Sequence, residues 1–401
     1  MVRKKVLILG GGPAAMMLAA NLDREIFEVH LYERNPALGR KFLVAGQGGF
    51  NLTHAESMDA FAGRYTPPGF MNEALSFFTN ADLQNWFREL GIETYVGTSQ
   101  RVFPVKGIKP IEVLNAILKH LQKQGVQIHT HHDWQGIDGD ALVFQSPQGL
   151  KKINSDLVVL ALGGASWKVT GSDGGWVPYL QSRRITCLPF RPSNCAYHIE
   201  WPEAFAESMQ GQALKNMVFS CGGVTRAGEA VITRAGIEGS GIYPLSPQIR
   251  EQLQGEGSAK LYIDLKPQHD LLKIQQALET RGRKSLTEIL EKEIKLSRPA
   301  TALLKALLSR DDFMSPALLA NRIKHFELTV VSAGPVDDAI STVGGIALSE
   351  ITPDFELKKL PGYYAIGEML DWDAPTGGYL LQAAFSMGAR LAAHLNRRDG
   401  I

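Results

Sequence analysis

Two hydrophobic patterns alternate along the first part of the chain. Runs of consecutive apolar residues at 6–9 and 157–162 have no polar face, which predicts strands buried on both sides of a parallel sheet. Apolar residues recur at helical spacing over 83–90 and 111–121, and each stretch stops at a glycine, which predicts amphipathic helices. Strands that alternate with helices in this way predict a doubly wound α/β domain.

The turn after the first apolar run indicates what this domain binds. Gly10, Gly12 and Ala15 fit the dinucleotide-binding pattern G-x-G-x-x-A, and Pro13 suits the first position of the following helix. Glu33 comes 33 − 10 = 23 residues after Gly10, close to the roughly 20 at which an acid binds the ribose hydroxyls of a dinucleotide. Glycine-rich turns also join strands to helices for steric reasons alone, but the proline and the acid favour the dinucleotide interpretation.

Between about 185 and 340 the alternation of strands and helices stops. Alternating apolar and polar residues at 217–220 and 260–264 predict strands of a small barrel or sandwich, and residues 271–322 are rich in helix formers. The first pattern resumes at Thr342. We therefore predict a dinucleotide-binding domain built from 1–185 and 341–401. Inserted between its two parts are a β subdomain at 186–265, a helical subdomain at 266–325, and a return strand of the β subdomain at 326–340.

The composition is that of an ordinary globular protein, with 401 residues, 44% apolar and 21% charged. A net charge of +1 gives no overall attraction to nucleic acid or to an anionic membrane. Cys187, Cys195 and Cys221 form neither a CxxC pair nor a secreted disulfide framework, which favours reduced thiols in a cytoplasmic protein. Glycines and Pro13 interrupt the apolar run after Lys4-Lys5, and no run is long enough to span a bilayer, so we expect neither a signal peptide nor a membrane partner.

Two local clusters offer chemistry of their own. His129, His131 and His132 crowd the end of a predicted strand, but no carboxylate or cysteine pattern completes a metal site, so we expect an exposed strand end and no metal. Residues 281–310 hold eight basic residues against three glutamates, an excess of +5. Such a run is most often a solvated face, and it is also the chain's candidate surface for RNA. The basic residues are Arg281, Arg283, Lys284, Lys292, Lys295, Arg298, Lys305 and Arg310.

A glycine-rich segment near the amino terminus resembles a known family. Gly39-Arg40-Lys41 and Asn51-Leu52-Thr53 match motifs of the BaiN/RdsA-like flavoproteins, also known as aminoacetone oxidase-like proteins or NAD(FAD)-utilising dehydrogenases, and Arg101–Val105 matches a further motif. The family's Arg-Cys pair is Gly49-Phe50 here and its final Asn is His54, so the chain resembles a divergent branch. Motifs at both ends and in the middle extend the resemblance over nearly the whole chain.

The resemblance implies FAD as the cofactor, bound by a Rossmann-like domain that both ends of the chain build and that the inserted β and helical subdomains interrupt and cover. It implies that the Trp134 backbone neighbours the adenine ring, and that the turn at Gly377-Gly378 directs the amino end of a long helix at the pyrimidine edge of the flavin. The residues expected to bind FAD are Gly10, Gly12, Pro13, Ala14, Glu33, Arg34, Arg40, Lys41, Gly46, Asn51, Leu52, Thr53, Trp134, Gly163, Gly367, Glu368, Asp373, Gly377, Gly378 and Leu381.

The resemblance also implies an oxidoreductase and leaves its reaction open. NAD(P)H-linked reduction of an activated C=C bond and oxidation of a small amine both fit the family, and NAD(P)H would bind as a transient co-substrate because no second dinucleotide motif is visible. Two alternatives are a flavin-dependent, dihydrouridine-type enzyme that modifies RNA bases and docks RNA through 281–310, and a flavin-binding scaffold without turnover. We expect a small-molecule substrate, and the oligomeric state stays open.

The candidate catalytic residue is Arg234, at a position where the family usually has histidine. Its guanidinium would hold an anionic or carbonyl-bearing substrate, and the rival role is a structural salt bridge.

Overall fold

The structure is a computed structural model that describes residues 2–44, 49–280 and 282–400. Its contacts divide the chain into two compact units, Met1–Pro192 together with Val336–Ile401, and Ser193–Pro335. We refer to these as unit 1 and unit 2. The finer division of the insertion into a β and a helical subdomain stays a prediction, as do the predicted limits at 185/186 and 340/341.

Unit 1 contains most of the helices and strands, which are numbered in chain order. Its strands are β1 (Lys4–Leu9), β2 (Phe27–Tyr32), β3 (Thr53–His54), β4 (Thr94–Val96), β5 (Arg101–Pro104), β6 (Gln127–His129), β7 (Asp133–Asp138), β8 (Ala141–Ser146), β9 (Gly149–Ile153), β10 (Leu157–Leu160), β11 (Cys187–Ser193, which ends at the boundary), β19 (Ser341–Ile346) and β20 (Tyr363–Ala365). Its helices are α1 (Pro13–Asn21), α2 (Arg40–Val44), α3 (Met58–Ala62), α4 (Asn72–Phe77), α5 (Asn80–Glu89), α6 (Pro110–Lys123), α7 (Val177–Gln181) and α15 (Tyr379–Asp399).

The centre of unit 1 is a five-stranded parallel sheet in the order β20-β10-β1-β2-β6. Strands β1 and β10 pair from Val6 opposite Leu157 to Leu9 opposite Leu160, and all of these residues are buried, as their unbroken apolar runs predict. Strand β20 from the carboxyl-terminal part of the chain pairs with β10, so both parts of the chain build one sheet. The carboxyl ends of parallel strands share one edge, which is where ligands bind in open α/β sheets.

A close contact between two helices fixes α15 against the first turn of α1. A Cβ atom added to Gly388 of α15 would lie 2.5 Å from the Ala14 carbonyl oxygen and 2.9 Å from the Leu18 nitrogen. Only glycine leaves room for this approach of the two backbones. Three smaller sheets, β3-β5-β4, β7-β8-β9 and β11-β19, complete the strand pairing of this unit as the structure describes it.

Unit 2 contains a seven-stranded antiparallel sheet and a set of helices. The sheet order is β17-β16-β13-β14-β15-β12-β18. These strands are β12 (Tyr197–His198), β13 (Ala213–Cys221), β14 (Val224–Thr233), β15 (Gly236–Glu238), β16 (Ala259–Asp264), β17 (Phe326–Val330) and β18 (Ser332–Ala333). The helices are α8 (Glu203–Met209), α9 (Ser246–Glu256), α10 (Leu271–Glu279), α11 (Leu286–Glu288), α12 (Arg298–Leu307), α13 (Arg310–Met314) and α14 (Pro316–Lys324).

The predicted α/β fold with an inserted sheet and inserted helices is therefore confirmed. Within the part of the chain that the structure describes, no helix combines the length and the apolar character that crossing a membrane requires.

Candidate functional site

The turn between β1 and α1 uses its glycines for two different purposes. Gly10 has φ +102°, and a Cβ atom there would overlap the carbonyl group of Ala161, so this position needs glycine for the fold itself. Gly12 precedes α1 with φ −81°, and no described atom lies within 4 Å of its Cβ position. Pro13 opens the helix, as predicted. The helix therefore begins at open space, where its first N–H groups are available to an anion.

The carboxylate of Glu33, at the end of β2, is fixed against this turn. Its Oε2 accepts a hydrogen bond from the Gly11 backbone N at 2.8 Å, and its Oε1 accepts bonds from the backbone N and the Nδ2 of Asn35, each at 2.8 Å. A carboxylate oxygen can accept more than one hydrogen bond, so this geometry leaves acceptor capacity for a ligand hydroxyl.

Arg34 and Arg40 are bonded to protein groups near Glu33. Arg34 donates to the carbonyl oxygen of Gly171 and forms an ion pair of 3.0 Å with Asp173. Arg40 Nη1 donates to Asn35 Oδ1 at 2.6 Å. The bonds of Arg34 tie the segment at 171–173 to the end of β2, and the bond of Arg40 holds Asn35. Both arginines therefore have a role in the fold, and a contact of either with the cofactor would be a second role.

Lys41 and Glu368, predicted separately as cofactor residues, lie together. Lys41 Nζ donates to both Glu368 oxygens, at 2.8 and 3.1 Å, and to Ser166 Oγ at 2.8 Å. Glu368 Oε1 also accepts from the Thr342 backbone N at 3.0 Å. A Cβ atom on Gly164 would overlap Thr342 Oγ1, so this cluster needs glycine beside it. Lys41 is thus already paired with a carboxylate, and its predicted contact with the cofactor stays a prediction.

The start of α15 is also built around glycines. Gly377 and Gly378 have φ +116° and +102°, and a Cβ atom on Gly378 would overlap the Thr53 backbone. Thr53 Oγ1 donates to Gln382 Oε1 at 2.7 Å, which attaches β3 to the first turn of the helix. Leu381 lies in that turn and is half-buried. The fold therefore brings two predicted motifs, at 51–53 and 377–378, into direct contact.

The loop before α15 is held on its other side by backbone hydrogen bonds. Asp373 N donates to Thr66 O at 2.7 Å, and Thr66 N donates to Asp373 O at 2.9 Å. Leu52 is buried, and its N donates to Val102 O at 2.8 Å, which extends the β3-β5 pairing towards Asn51. Gly367, two residues after the end of β20, has φ +84°.

Two buried polar atoms of unit 1 are free to bond a ligand. Ser172 is 7% exposed, and its Oγ has no hydrogen-bond partner among the described residues, although it lies 3.4 Å from the Cβ position of Gly163. Trp134 is 6% exposed, and its Nε1 is likewise unpartnered there. A buried polar atom without a partner costs free energy, which a polar ligand would recover. Ser172 was not predicted as a site residue, and the signal that could have found it is its place between glycines in the run 171–175.

The other predicted site residues lie elsewhere. Arg234 is exposed in the turn between β14 and β15 of unit 2. Gly46 and Arg281 are outside the described residues. In the basic segment, Lys284 and Lys292 form ion pairs with glutamates at 2.5 and 3.0 Å. The remaining basic residues of the segment that the structure describes are exposed, namely Arg283, Lys295, Arg298, Lys305 and Arg310.

The histidines beside β6 differ from the expected exposed strand end. His131 is exposed, but the ring of His129 stacks on Tyr32 with centroids 4.5 Å apart, and His129 Nε2 lies 3.1 Å from His30 Nδ1. Burial, and then the neighbouring His30, lower the pKa of His129 to about 4. The partly buried rings pack as aromatic groups because Tyr32 offers them a flat apolar surface. Across residues 2–44, 49–280 and 282–400, no group of three or more His, Cys, Asp or Glu is arranged to hold a metal ion.

Comparisons with known proteins agree with this arrangement. Residues 4–394 match the HI0933-like protein Rossmann domain family. The chain is 27% identical to the 3-dehydro-bile acid delta(4,6)-reductase of Clostridium scindens, over 96% of this chain and 97% of that protein. It is 24% identical to the ribosomal RNA dihydrouridine synthase of Haemophilus influenzae, over 98% of each chain.

Among solved structures, the fold is similar to that of a 3-ketosteroid-delta4-(5alpha)-dehydrogenase from Rhodococcus jostii RHA1. The TM-score is 0.50 and the identity 14%, over 97% of this chain and 96% of that chain. The resemblance found in the sequence motifs is confirmed. The chain belongs to the HI0933-like Rossmann family, a family of FAD-dependent oxidoreductases.

Proposed function

We propose that unit 1 binds FAD and that the chain uses it for NAD(P)H-linked reduction of an activated C=C bond in a small molecule. The observation that carries the proposal is the carboxyl-end edge of the parallel sheet. There the open glycine turn before α1, the Glu33 carboxylate and the unpartnered Ser172 hydroxyl meet the requirements of a dinucleotide. The 27% identity to a 3-dehydro-bile acid delta(4,6)-reductase supports the proposal that the substrate is a small molecule and that it is reduced.

The residues divide by the part of FAD that each would hold. Glu33 is suited to the ribose hydroxyls of the adenosine half, and the N–H groups after Gly12 to the pyrophosphate. Glu368, which pairs with Lys41 at 2.8 Å, is suited to accept hydrogen bonds from the ribityl hydroxyls. The glycine turn before α15 is suited to the flavin ring, because Gly377 and Gly378 carry no side chain. The roles of Glu33 and of the two glycine turns are those that the sequence motifs predict, whereas the motifs name Glu368 as a cofactor residue without assigning it to the ribityl chain.

The bound flavin would supply two-electron chemistry, and the protein would supply orientation and charge. The first turn of α15 directs backbone N–H groups and the positive end of a 21-residue helix away from the helix body. Such a group stabilises negative charge on an acceptor placed before the helix. NAD(P)H would act as a transient co-substrate, since the chain carries a single dinucleotide fingerprint at Gly10–Ala15.

Two measurements test this proposal. Cofactor released by heating the purified protein and separated on a column should be FAD, whereas FMN, or a protein unable to take up FAD, would refute the cofactor assignment. Anaerobic rapid mixing with NADH or NADPH should bleach the bound flavin, and cyclohexenone or a 3-keto-4-ene steroid should restore the oxidised spectrum. Reoxidation by oxygen with a small amine as the electron donor would favour amine oxidation instead, and a flavin that no donor reduces would favour a scaffold.

A second candidate, modification of an RNA base, is favoured by the exposed basic segment and by the relatives named ribosomal RNA dihydrouridine synthase. If the segment contacts phosphates, the affinity for ribosomal RNA fragments should fall steeply with salt. Arg283→Glu with Arg298→Glu should then lower the slope of log K against log salt by roughly 1 for each lost phosphate contact. The matched control is Lys119→Glu with Lys123→Glu, which changes the net charge equally on the exposed face of α6. Equal effects of the two pairs would leave the small-molecule substrate as the better proposal.

A further inference from the structure

A partly buried ion pair lies beside the first residue of α15, in a segment that carries no recognisable motif. Glu56 Oε1 accepts from Arg64 Nε at 3.0 Å, and Glu56 Oε2 accepts from Arg64 Nη2 at 2.6 Å. The hydroxyl of Tyr379, the first residue of α15, donates to Glu56 Oε1 at 2.7 Å. The carboxylate is 11% exposed and the Tyr379 residue 5% exposed. The glutamate therefore accepts three hydrogen bonds while its own side chain is mostly buried, whereas the Arg64 side chain is 33% exposed.

The same segment encloses the glycine loop before α15. Tyr65 Oη donates to the Tyr379 carbonyl oxygen at 2.8 Å, and Thr66 exchanges two backbone hydrogen bonds with Asp373. The His54 ring stacks on the Tyr379 ring with centroids 5.3 Å apart. Every one of these contacts is made to the loop or to the first residue of the helix.

Glu56 and Arg64 carry opposite charges, and a further cation, Arg101, lies at the same loop with its Nε 3.5 Å from the Cβ position of Gly377. Burial would raise the pKa of Glu56, but hydrogen bonds from Arg64 and Tyr379 outweigh it and hold that pKa below its usual value. Burial lowers the pKa of His54, which keeps its ring neutral. A buried ion pair of this kind is weak evidence for stability, because desolvation offsets the attraction. Its position at the amino end of a helix suggests that the charge balance itself matters.

We propose that the Glu56–Arg64 ion pair tunes the reduction potential of the flavin by cancelling negative charge beside the amino end of α15. This inference rests on the proposed function. A reduced flavin carries more negative charge at its pyrimidine edge than an oxidised one, so its stability depends on nearby fixed charges. An unpaired Glu56 carboxylate would oppose the positive end of the helix, and an unpaired Arg64 guanidinium would add to it.

The test is the midpoint potential of bound FAD in single and double variants, measured at pH 8 so that Glu56 stays ionised. Arg64→Gln should lower the potential, Glu56→Gln should raise it, and the double variant should return close to the wild-type value. Arg64→Lys should keep a potential close to that of the wild type, unlike Arg64→Gln, because it retains the positive charge. The FAD dissociation constant and the melting temperature are measured on the same samples. If the ion pair only holds the fold together, both single variants should melt earlier and bind FAD more weakly, and their potentials should not shift in opposite directions.

A second ion pair of unit 1 provides the matched control. Glu350 is 8% exposed at its side chain and pairs with Lys359 at 2.7 Å, on the segment between β19 and β20. Glu350→Gln and Lys359→Gln change charge in the same two senses and should leave the potential of the flavin unchanged. If Arg64→Gln does not fold, the comparison of Glu56→Gln with Glu350→Gln decides the question.

The outcomes separate this inference from the proposed function. Shifts of opposite sign for Glu56→Gln and Arg64→Gln, absent in the control pair, support it. Shifts of the same sign, or none, in variants that bind FAD would overturn this inference alone. A wild-type protein that binds no FAD would overturn the proposed function and this inference together.

Discussion

Two neighbouring glycines of the first turn are expected to respond to the same added methyl group in opposite ways. Gly10→Ala puts a Cβ atom into the carbonyl group of Ala161 at a backbone φ of +102°. Gly12→Ala puts one into space where no described atom lies within 4 Å, at an ordinary φ of −81° and ψ of 178°. The first change should therefore damage the fold, and the second should damage only the binding of a ligand.

The magnitudes follow from these environments. At Gly10, backbone strain costs about 1–3 kcal/mol and steric overlap a similar amount, so the free energy of unfolding should fall by roughly 2–6 kcal/mol. At Gly12, the loss of a favoured helix-capping residue and the reduced entropy of the unfolded chain nearly cancel, so the apo protein should stay within about 1 kcal/mol of wild type. A methyl group between the helix and a pyrophosphate should cost about 1.5–3 kcal/mol of FAD binding, a roughly 10- to 100-fold weaker Kd.

Urea unfolding of the apo proteins, followed by tryptophan fluorescence, measures the first effect, and FAD titration measures the second. Gly12→Ala with wild-type FAD affinity would refute the inference that the space before α1 receives the pyrophosphate. Gly10→Ala with wild-type stability would show that the turn can relax away from Ala161. A Gly12→Ala protein that unfolds early would mean that the open space is needed by the fold and gives no information on a ligand.

Three further predictions concern Glu33, Arg234 and His129. Glu33→Gln should weaken FAD binding by roughly 1.5–3 kcal/mol, because a charged acceptor for the ribose hydroxyls is lost. The amide oxygen can still accept from Gly11, but the amide NH2 then faces the two donors of Asn35, so the free energy of unfolding is measured on the same variant. Unchanged affinity in the FAD titration would exclude the ribose contact. Arg234→Ala should keep the flavin spectrum and melting temperature but slow turnover with substrate, whereas early melting with normal turnover would assign it to the scaffold. The folded-state pKa of His129 is lowered from 6.5 to about 4, so the free energy of unfolding should be highest above pH 6.5 and fall as the pH drops towards 4. After allowing for the partial exposure of the ring, the loss should be roughly 1–2 kcal/mol. Urea unfolding of His129→Gln should show a weaker pH dependence of this free energy, and an unchanged dependence would mean that other groups cause the loss.

The parts of the site that the sequence could predict are those formed by residues close together along the chain. Gly10, Gly12 and Glu33 belong to one strand–helix–strand unit, so their spacing alone brings the acid to the turn, and the bond from Gly11 to Glu33 agrees with this. The buried strands β1 and β10 were equally accessible to prediction, because an unbroken apolar run has no face to offer to water.

The contacts that join distant segments could not be predicted in this way. Lys41 meets Glu368, and Thr53 lies against Gly378, because β20 pairs with β10 and α15 packs against α1. That topology depends on packing between the two ends of the chain, which no local pattern records. The sequence therefore identified the members of these pairs as separate ligands and missed that they contact each other.

The Glu56–Arg64 cluster shows a different limit. Its residues have no glycine, no repeated spacing and no apolar periodicity, so nothing in the sequence distinguishes this ion pair from an exposed one. Only the burial of Glu56 and its bond to Tyr379 reveal it. The one available signal was the position of Tyr379 directly after the glycine turn.

The resemblance in the sequence motifs puts Gly49-Phe50 where the BaiN/RdsA-like flavoproteins have an Arg-Cys pair, and this difference bears on how electrons reach the proposed flavin. Phe50 occupies the position of that cysteine and is buried with its ring at right angles to Phe42, with centroids 5.0 Å apart, so this position serves the core. None of the three cysteines is in a disulfide, and burial raises the pKa of the Cys187 and Cys221 thiols to about 11. Protonated thiols are poor nucleophiles and poor redox partners near neutral pH. A dithiol relay is therefore disfavoured, and the proposed reductant would have to deliver its electrons to the flavin directly.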